Sequence, residues 1–245
     1  MVRTSRTPRL SPTVRPLCIR HDVSRRRPYF EPVQWEILRG LGEPQRRAVM
    51  ASATRHRCRN GDTLFHAGDP AASVHLLERG HVAIRIVDLG GTTLTLDVLG
   101  PGSAFGEQAL LAPDERRTAS AVAIGAVETR QLDTAVFADL QRREPSVTAV
   151  LVEVLAAQVR RLSEQLIDAH TLAAEHRVVK HLVRLARSFG DGTSALVPLT
   201  QEELASLAGT TRPTANRALQ QLADRGLVVL RRGRIEIPDI AGVAG

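Results

Sequence analysis

Two short stretches of the chain hold residue types suited to phosphate chemistry and to reading bases. The first runs Phe105-Gly106-Glu107-Gln108-Ala109-Leu110-Leu111, then through a Pro-Asp loop to Arg116-Arg117-Thr118-Ala119. Gly106 allows close backbone approach, and a short helix starting there would point its amide groups inward, where anions bind. Arg117 adds a charge-assisted pair to a phosphate, and the Thr118 hydroxyl adds one more hydrogen bond. A carboxylate cannot help bind phosphate, but Glu107 can accept from ribose hydroxyls. Glu107 and Arg117 together suit a sugar phosphate, and the competing reading is a plain surface ion pair. The second stretch is TQEELASLAGTTRPTANRALQ, residues 200–220. Thr200 and Glu203 make a capping box that opens a helix. Gly209 suits a left-handed turn, Thr211 can cap a second helix, and Pro213 is tolerated in its first turn. Ala215, Ala218, Leu219 and Leu222 give that helix an inner face, and the small Ala205 lets two helices cross closely, as a helix-turn-helix requires.

The outer face of the second helix carries Arg212, Asn216, Arg217 and Gln220, and Thr214 is a further candidate DNA contact. Arg and Asn suit bidentate readout of guanine and adenine edges. After Gly226 come Leu227–Leu230, a basic turn Arg231-Arg232-Gly233-Arg234, and Ile235–Ile237. That is a strand–turn–strand wing, with Arg232 at a tip that could lie on phosphates. The competing reading is a helical hairpin with a solvated basic face.

These residues need elements to position them. Trp35, Leu38, Leu41, Ala48 and Val49 recur at helical spacing, and Pro44 can open a helical segment. Residues 61–69 read as a strand between turn signals, and residues 74–87 as two strands with a glycine corner at Gly80. Gly90-Gly91 is a hairpin turn, residues 93–99 alternate, and residues 119–132 supply more strand. Short strands at roughly 8–12-residue spacing argue a β-sandwich or barrel. From residue 147 the period becomes helical: Val147, Val150, Leu151, Val154, Leu155, Gln158, Leu162, Leu166, Ala169 and Leu172 form one stripe. Such a stripe needs a partner, and a symmetric two-helix seam is the cheapest, so a homodimer is expected. The competing reading packs the helix on its own domain alone.

Composition bounds the rest. The chain has 245 residues and a formal net charge of +7, with 43% apolar residues. It is long enough for one or two domains with a real core. No apolar run approaches the roughly 20 residues that span a bilayer, and no apolar segment suited to a secretory signal follows the basic start. Cys18 and Cys58 cannot make a disulfide scaffold or the usual four-thiolate iron–sulfur site. A reduced, cytoplasmic protein is the default. Eight histidines show no HxxxH or HExxH spacing, so no metal is expected. His75 and His81 read as partly buried structural side chains, and Cys58, between Arg57 and Arg59, as an inert thiol. No nucleophile-and-base arrangement supports catalysis, so an enzyme is not expected. The charge is unevenly placed: residues 1–30 hold eight Arg and one Asp, and the remainder is neutral. The tail reads as disordered, a solvated extension or an upstream start; a basic arm on DNA or a transit peptide are its other readings. Inside the neutral remainder, residues 210–234 hold six Arg against one Asp, a local +5.

Taken together, residues 33–240 resemble the cyclic-AMP receptor / fumarate–nitrate regulator (Crp/Fnr) family of bacterial transcription factors. The resemblance rests on Gly61-Asp62 to Gly68-Asp69, the cassette GEQALLAPDERRTA at 106–119, Arg160-Arg161-Leu162, and TTRPTANRAL at 210–219. It implies an α+β chain: a basic tail (1–30), a cyclic-nucleotide-binding, jelly-roll-like β-roll (31–144), a dimerisation helix (145–175) and a winged helix-turn-helix (176–245). By that resemblance Glu107 holds a ribose 2′-hydroxyl and Arg117 and Thr118 a cyclic phosphate, with the amides near Gly106 and Gln108–Ala109 assisting. Arg161 matches a helix Arg that supports the pocket carboxylate. The ligand implied is cAMP or cGMP; the partners implied are double-stranded DNA with a palindromic operator, a second copy of the chain, and RNA polymerase. The family's reading positions map to Arg212, Pro213 and Arg217; the middle one is often Glu, and Pro213 cannot accept from cytosine. Cyclic-AMP responders place adjacent hydroxyl residues where this chain has Gln165 and Leu166. Gln165 can still bond a purine edge, and Leu166 cannot. The segment Arg161–Arg177 is about three residues shorter than in the best-known members, nearly one helical turn. Two other outputs stay open: ligand-independent DNA binding with a vestigial pocket, and a nucleotide-sensing module acting through a protein partner. If the charge that matters is the local one, deleting residues 1–30 leaves specific DNA binding intact in a gel-shift assay with competitor DNA.

Overall fold

A computed structural model of the chain describes residues 33, 35–111 and 115–244. The basic tail, Cys18 and the Pro113-Asp114 loop lie outside the described residues.

The N-terminal helical spacing resolves into a 3-10 turn, Glu36–Leu38, and helix α1, Glu43–Ser52, which has Gly42 at its N-cap and a proline in its first turn. Six strands follow: β1 (Thr54–Cys58), β2 (Thr63–Phe65), β3 (Ser73–Val87), β4 (Thr93–Leu99), β5 (Ala104–Phe105) and β6 (Ser120–Asp133). They form an antiparallel sheet in the order β1-β6-β3-β4, with β2 on β6 and β5 on β3. The strand expected over residues 61–69 is only three residues long, since the flanking Gly61 and Gly68 both take positive φ. The two strands expected around Gly80 are one. Gly80 has φ +77°, and a Cβ there would strike the Ala126 carbonyl. The glycine therefore acts as a bulge that bends β3 while pairing to β6 resumes at His81. The Gly90-Gly91 hairpin forms as expected, and the Asp88 carboxylate accepts from the Gly90 and Thr92 amides.

Helix α2 (Thr134–Arg143) leads into α3, Pro145–Thr171, whose 27 residues extend about 40 Å. The first turns of α3 are buried through Val147 and Leu151, with Trp35, Leu38, Leu132 and Phe137. Further along, Val152, Val159, Leu162, Leu166 and Ile167 are exposed. The chain breaks at Leu172-Ala173 and continues as α4 (Ala174–Phe189), β7 (Ala195–Val197), α5 (Gln201–Leu207), α6 (Arg212–Asp224), β8 (Val229–Arg231), β9 (Arg234–Ile237) and α7 (Ile240–Ala244). Strands β7-β9-β8 make the wing sheet. No described helix is long and apolar enough to cross a membrane.

Both halves of the Thr200–Glu203 capping box are present, and Gly209 takes the left-handed turn with φ +56°. Ala205, Ala215, Ala218, Leu219 and Leu222 are buried. Thr211 sits at the N-cap position of α6 but does not cap it: its hydroxyl bonds that of Thr214 at 3.1 Å. The core under α5 and α6 continues into the β-roll, because Ala83, Val98 and Ile124 pack with Val178, Leu182 and Leu204. His81 stacks on Phe189, and its Nε2 lies 3.0 Å from the Ser188 carbonyl.

His75 is fully enclosed in the roll, stacked on Phe105 at 5.2 Å between ring centres. Burial, aided by the Arg117 and His56 charges, pushes its pKa down to about 3. The unfolded chain, with an ordinary His pKa near 6.5, then binds a proton that the folded chain refuses. Stability is thus full above pH 6.5 and falls progressively as the pH drops toward about 3. Urea midpoints across that window should show the loss, and His75→Phe should flatten the slope.

Candidate functional site

The cassette, the β3–β4 hairpin and α3 enclose a cavity of about 530 Å³. This falls in the range of small-molecule sites, roughly 300–1,000 Å³. All eight residues singled out from sequence line it: Gly106, Glu107, Gln108, Ala109, Arg117 and Thr118 from the cassette, and Arg161 and Gln165 from α3. The structure adds Asp97 and Leu96 of β4, Phe65 of β2, and Gln158 and Leu162 of α3. Gln158 and Leu162 belong to the helical stripe read as a partner-facing seam, and none of the five had a local signal for this site. An aspartate in an alternating strand looks like surface until the chain folds around it.

Arg117 lies at the centre, only 7% exposed. Its terminal nitrogens donate to the Gly106 carbonyl at 3.0 Å and to the Ser73 carbonyl and hydroxyl. The guanidinium carbon sits 4.2 Å over the Phe65 ring, a cation–π contact. Burial lowers its pKa, while Glu107 and Asp69 pull it back up; a guanidinium stays charged throughout. Its Nε is buried with no hydrogen-bond partner. Glu107, at 8% exposure, presents an acceptor to the same cavity.

Two expected details are revised. The short helix at Gly106 is a 3-10 turn, Glu107–Leu110, and the Ala109 amide closes it onto the Gly106 carbonyl at 3.2 Å. That amide is therefore committed within the turn rather than free for an anion. Arg161 does not support Glu107. It pairs with Asp97, which also accepts from Arg184 of α4 at 2.9 Å. Thr118 donates to the Gln108 side chain at 3.0 Å, so the two meet at the cavity mouth.

The basic C-terminal surface also assembles. Arg212 and Arg217 stand exposed on α6, each facing one loose carboxylate, Glu202 at 3.8 Å and Glu175 at 3.5 Å. Pro213, Asn216 and Gln220 share the exposed face, whereas Thr214 is half-buried against Thr211. A second groove, about 390 Å³, brings Thr200 and Arg212 together with Arg231, Arg232 and Arg234 of the wing. The start of the helix-turn-helix and the distant wing thus line one cationic trough beside the α6 N-terminus.

Comparison with known proteins agrees with this division. The family described as cyclic nucleotide-binding domain matches residues 55–144, and the Crp-like helix-turn-helix domain matches residues 176–244. The cyclic AMP receptor protein of Thermus thermophilus is 34% identical over 84% of this chain and 93% of its own length. The CRP-like cAMP-activated global transcriptional regulator of Mycobacterium tuberculosis is 33% identical over 73% of this chain and 81% of its own. The chain belongs to the Crp/Fnr family. The solved structure of the Thermus thermophilus catabolite activator protein matches 85% of it and 96% of that chain, at 33% identity and a TM-score of 0.50. This family member is a DNA-binding transcription regulator with a cyclic nucleotide-binding domain, and not an enzyme. Its β-roll, long helix and winged helix-turn-helix are the fold expected from sequence.

Gly106 has φ +75°, and a Cβ on it would collide with the Arg117 guanidinium. Gly106→Ala should therefore cost about 1–3 kcal/mol of stability, read as a shift in the denaturation midpoint.

Proposed function

We propose that this regulator acts as a homodimer whose β-roll takes up a cyclic nucleotide, cAMP or cGMP, and thereby repositions two recognition helices on a palindromic operator. The observation that carries the reading is the buried Arg117, its Nε left without a partner, facing a cavity shared with the acceptor Glu107. A cyclic phosphate supplies the acceptors that the guanidinium lacks, with Thr118 adding a donor. Glu107 is left to accept from the ribose 2′-hydroxyl, and Gln165 to meet the purine edge. The relatives' names, cyclic AMP receptor protein and cAMP-activated regulator, point the same way.

The dimer reading is supported by the exposed Val152, Val159, Leu162, Leu166 and Ile167, an apolar patch along a helix whose neighbouring turns line the cavity. A parallel copy of α3 is the simplest cover for it. Arg212 and Arg217 then read guanines, Asn216 and Gln220 lie alongside, and Arg232 and the Thr200 turn follow phosphates. RNA polymerase is the partner through which such an output runs.

A second reading has its own observation. Two of the three guanidinium nitrogens of Arg117 already hold protein acceptors. A ligand-independent regulator would keep that arrangement.

Selection of bound DNA from random sequence, with and without cAMP and cGMP, tests both. The proposed function predicts a palindrome enriched only with nucleotide, its half-sites about 34–36 Å apart as helix-turn-helix dimers require. Arg117→Ala should abolish the nucleotide effect, and Arg212→Ala should cost about 1–3 kcal/mol and relax one base. Enrichment independent of nucleotide and of Arg117 would favour the second reading.

A further inference from the structure

The β-roll touches the DNA-binding domain through several polar contacts. Arg85 pairs with Glu203, the Thr95 amide donates to the Ser206 hydroxyl at 2.6 Å, and His81 meets Ser188. None of these six residues lines the nucleotide cavity. Asp97 differs. It lines the cavity, is only 7% exposed, and divides its carboxylate between the long helix α3 and the DNA-binding domain. One oxygen meets Arg161 of α3, itself a cavity residue; the other accepts from Arg184 of α4 at 2.9 Å, and Arg184 is not a cavity residue.

The strand is shaped for this placement. Ile84 pairs with Asp97 and Arg85 with Thr95, so Leu96 is an extra, unpaired residue in β4. Such a bulge re-aims the side chains beside it. Here the next residue, Val98, is buried in the core of the DNA-binding domain, while Asp97 is buried at the cavity wall.

We propose that Asp97 is the positioning residue that couples occupancy of the cavity to the seating of the DNA-binding domain, by sharing one carboxylate between Arg161 and Arg184. An anion entering the cavity competes with Asp97 for Arg161. Each step of Arg161 toward the ligand leaves Asp97 more fully with Arg184, and so changes how α4 is held. Linkage makes the effect reciprocal: whatever holds Arg184 on Asp97 frees Arg161 for the ligand. The proposal rests on the cyclic-nucleotide reading above.

The signs follow from the charges. Asp97→Asn removes a negative charge beside an incoming anion and releases Arg161, so nucleotide binds more tightly. Arg184→Gln leaves Asp97 to Arg161 alone, so nucleotide binds more weakly, although Arg184 lies outside the cavity. Arg184→Lys keeps the charge and restores binding. The test is calorimetric titration of the full-length wild type, the three single variants and the Asp97→Asn/Arg184→Gln double variant with cAMP and with cGMP. The expected result is a loss of at least about fivefold for Arg184→Gln, at the low end of measured couplings, that disappears in the Asp97→Asn background. An Arg184→Gln effect that is absent, or equal in both backgrounds, overturns the coupling and leaves the nucleotide reading intact. A wild type that binds neither nucleotide overturns that reading, and the coupling falls with it.

Discussion

The cationic guanidinium of Arg117 is held inside the β-roll, and much of the N-terminal half of the molecule is arranged to make that tolerable. An ion taken out of water costs several kcal/mol unless its surroundings replace the lost hydration. Here the replacement comes from separate pieces of chain: the Gly106 carbonyl, Ser73 at the start of β3, the face of Phe65 on β2, and the fields of Glu107 and Asp69. The backbone is stitched as well, since the Arg117 amide donates to the Asp69 carbonyl and Gly68 donates back to the Arg117 carbonyl. The strand motif at 61–69 and the cassette at 106–119 are thus two walls of one site. Glycine is favoured at 106 by its positive φ, and a Cβ there would also press on the Arg117 guanidinium.

The same sheet serves two neighbours. Strand β4 sends Val98 into the core of the DNA-binding domain and Asp97 to the cavity wall. Residues Ala83, Val98 and Ile124 make the roll and the winged helix-turn-helix share one continuous apolar core. Because packed interiors transmit strain rather than absorb it, a change at the cavity wall has a short physical path to α4. Meanwhile α6 keeps its inner face buried against α4 and α5, and its arginines remain in solvent.

Elements with strong local signals were legible in the sequence. The capping box, the left-handed glycine and the inner alanines of the helix-turn-helix each satisfy a rule that spans only a few residues, and each formed. The Gly90-Gly91 hairpin did too. Readings failed where a residue's local option lost to a neighbour. Gly80 could have turned a corner, but the β6 ladder continues past it, so it bends the strand instead. Thr211 could have capped α6, but its hydroxyl found Thr214. Arg161 was placed beside the right cavity and given the wrong carboxylate, because Asp97 reaches it from 64 residues away.

By itself, then, the sequence determined which segments are strands, which are helices, and which residue types are chemically suited to phosphate and to DNA, because periodicity, caps and turns are set within a few residues. It also showed that the global charge is misleading, with the local +5 of residues 210–234 hidden inside a neutral body. Tertiary structure alone decided who pairs with whom. Each arginine could satisfy its charge on any nearby acid or carbonyl. Only the fold, which brings Asp97 of β4 within reach of α3 and α4, selected it for Arg161 and Arg184, and left the buried Nε of Arg117 without a hydrogen-bond partner.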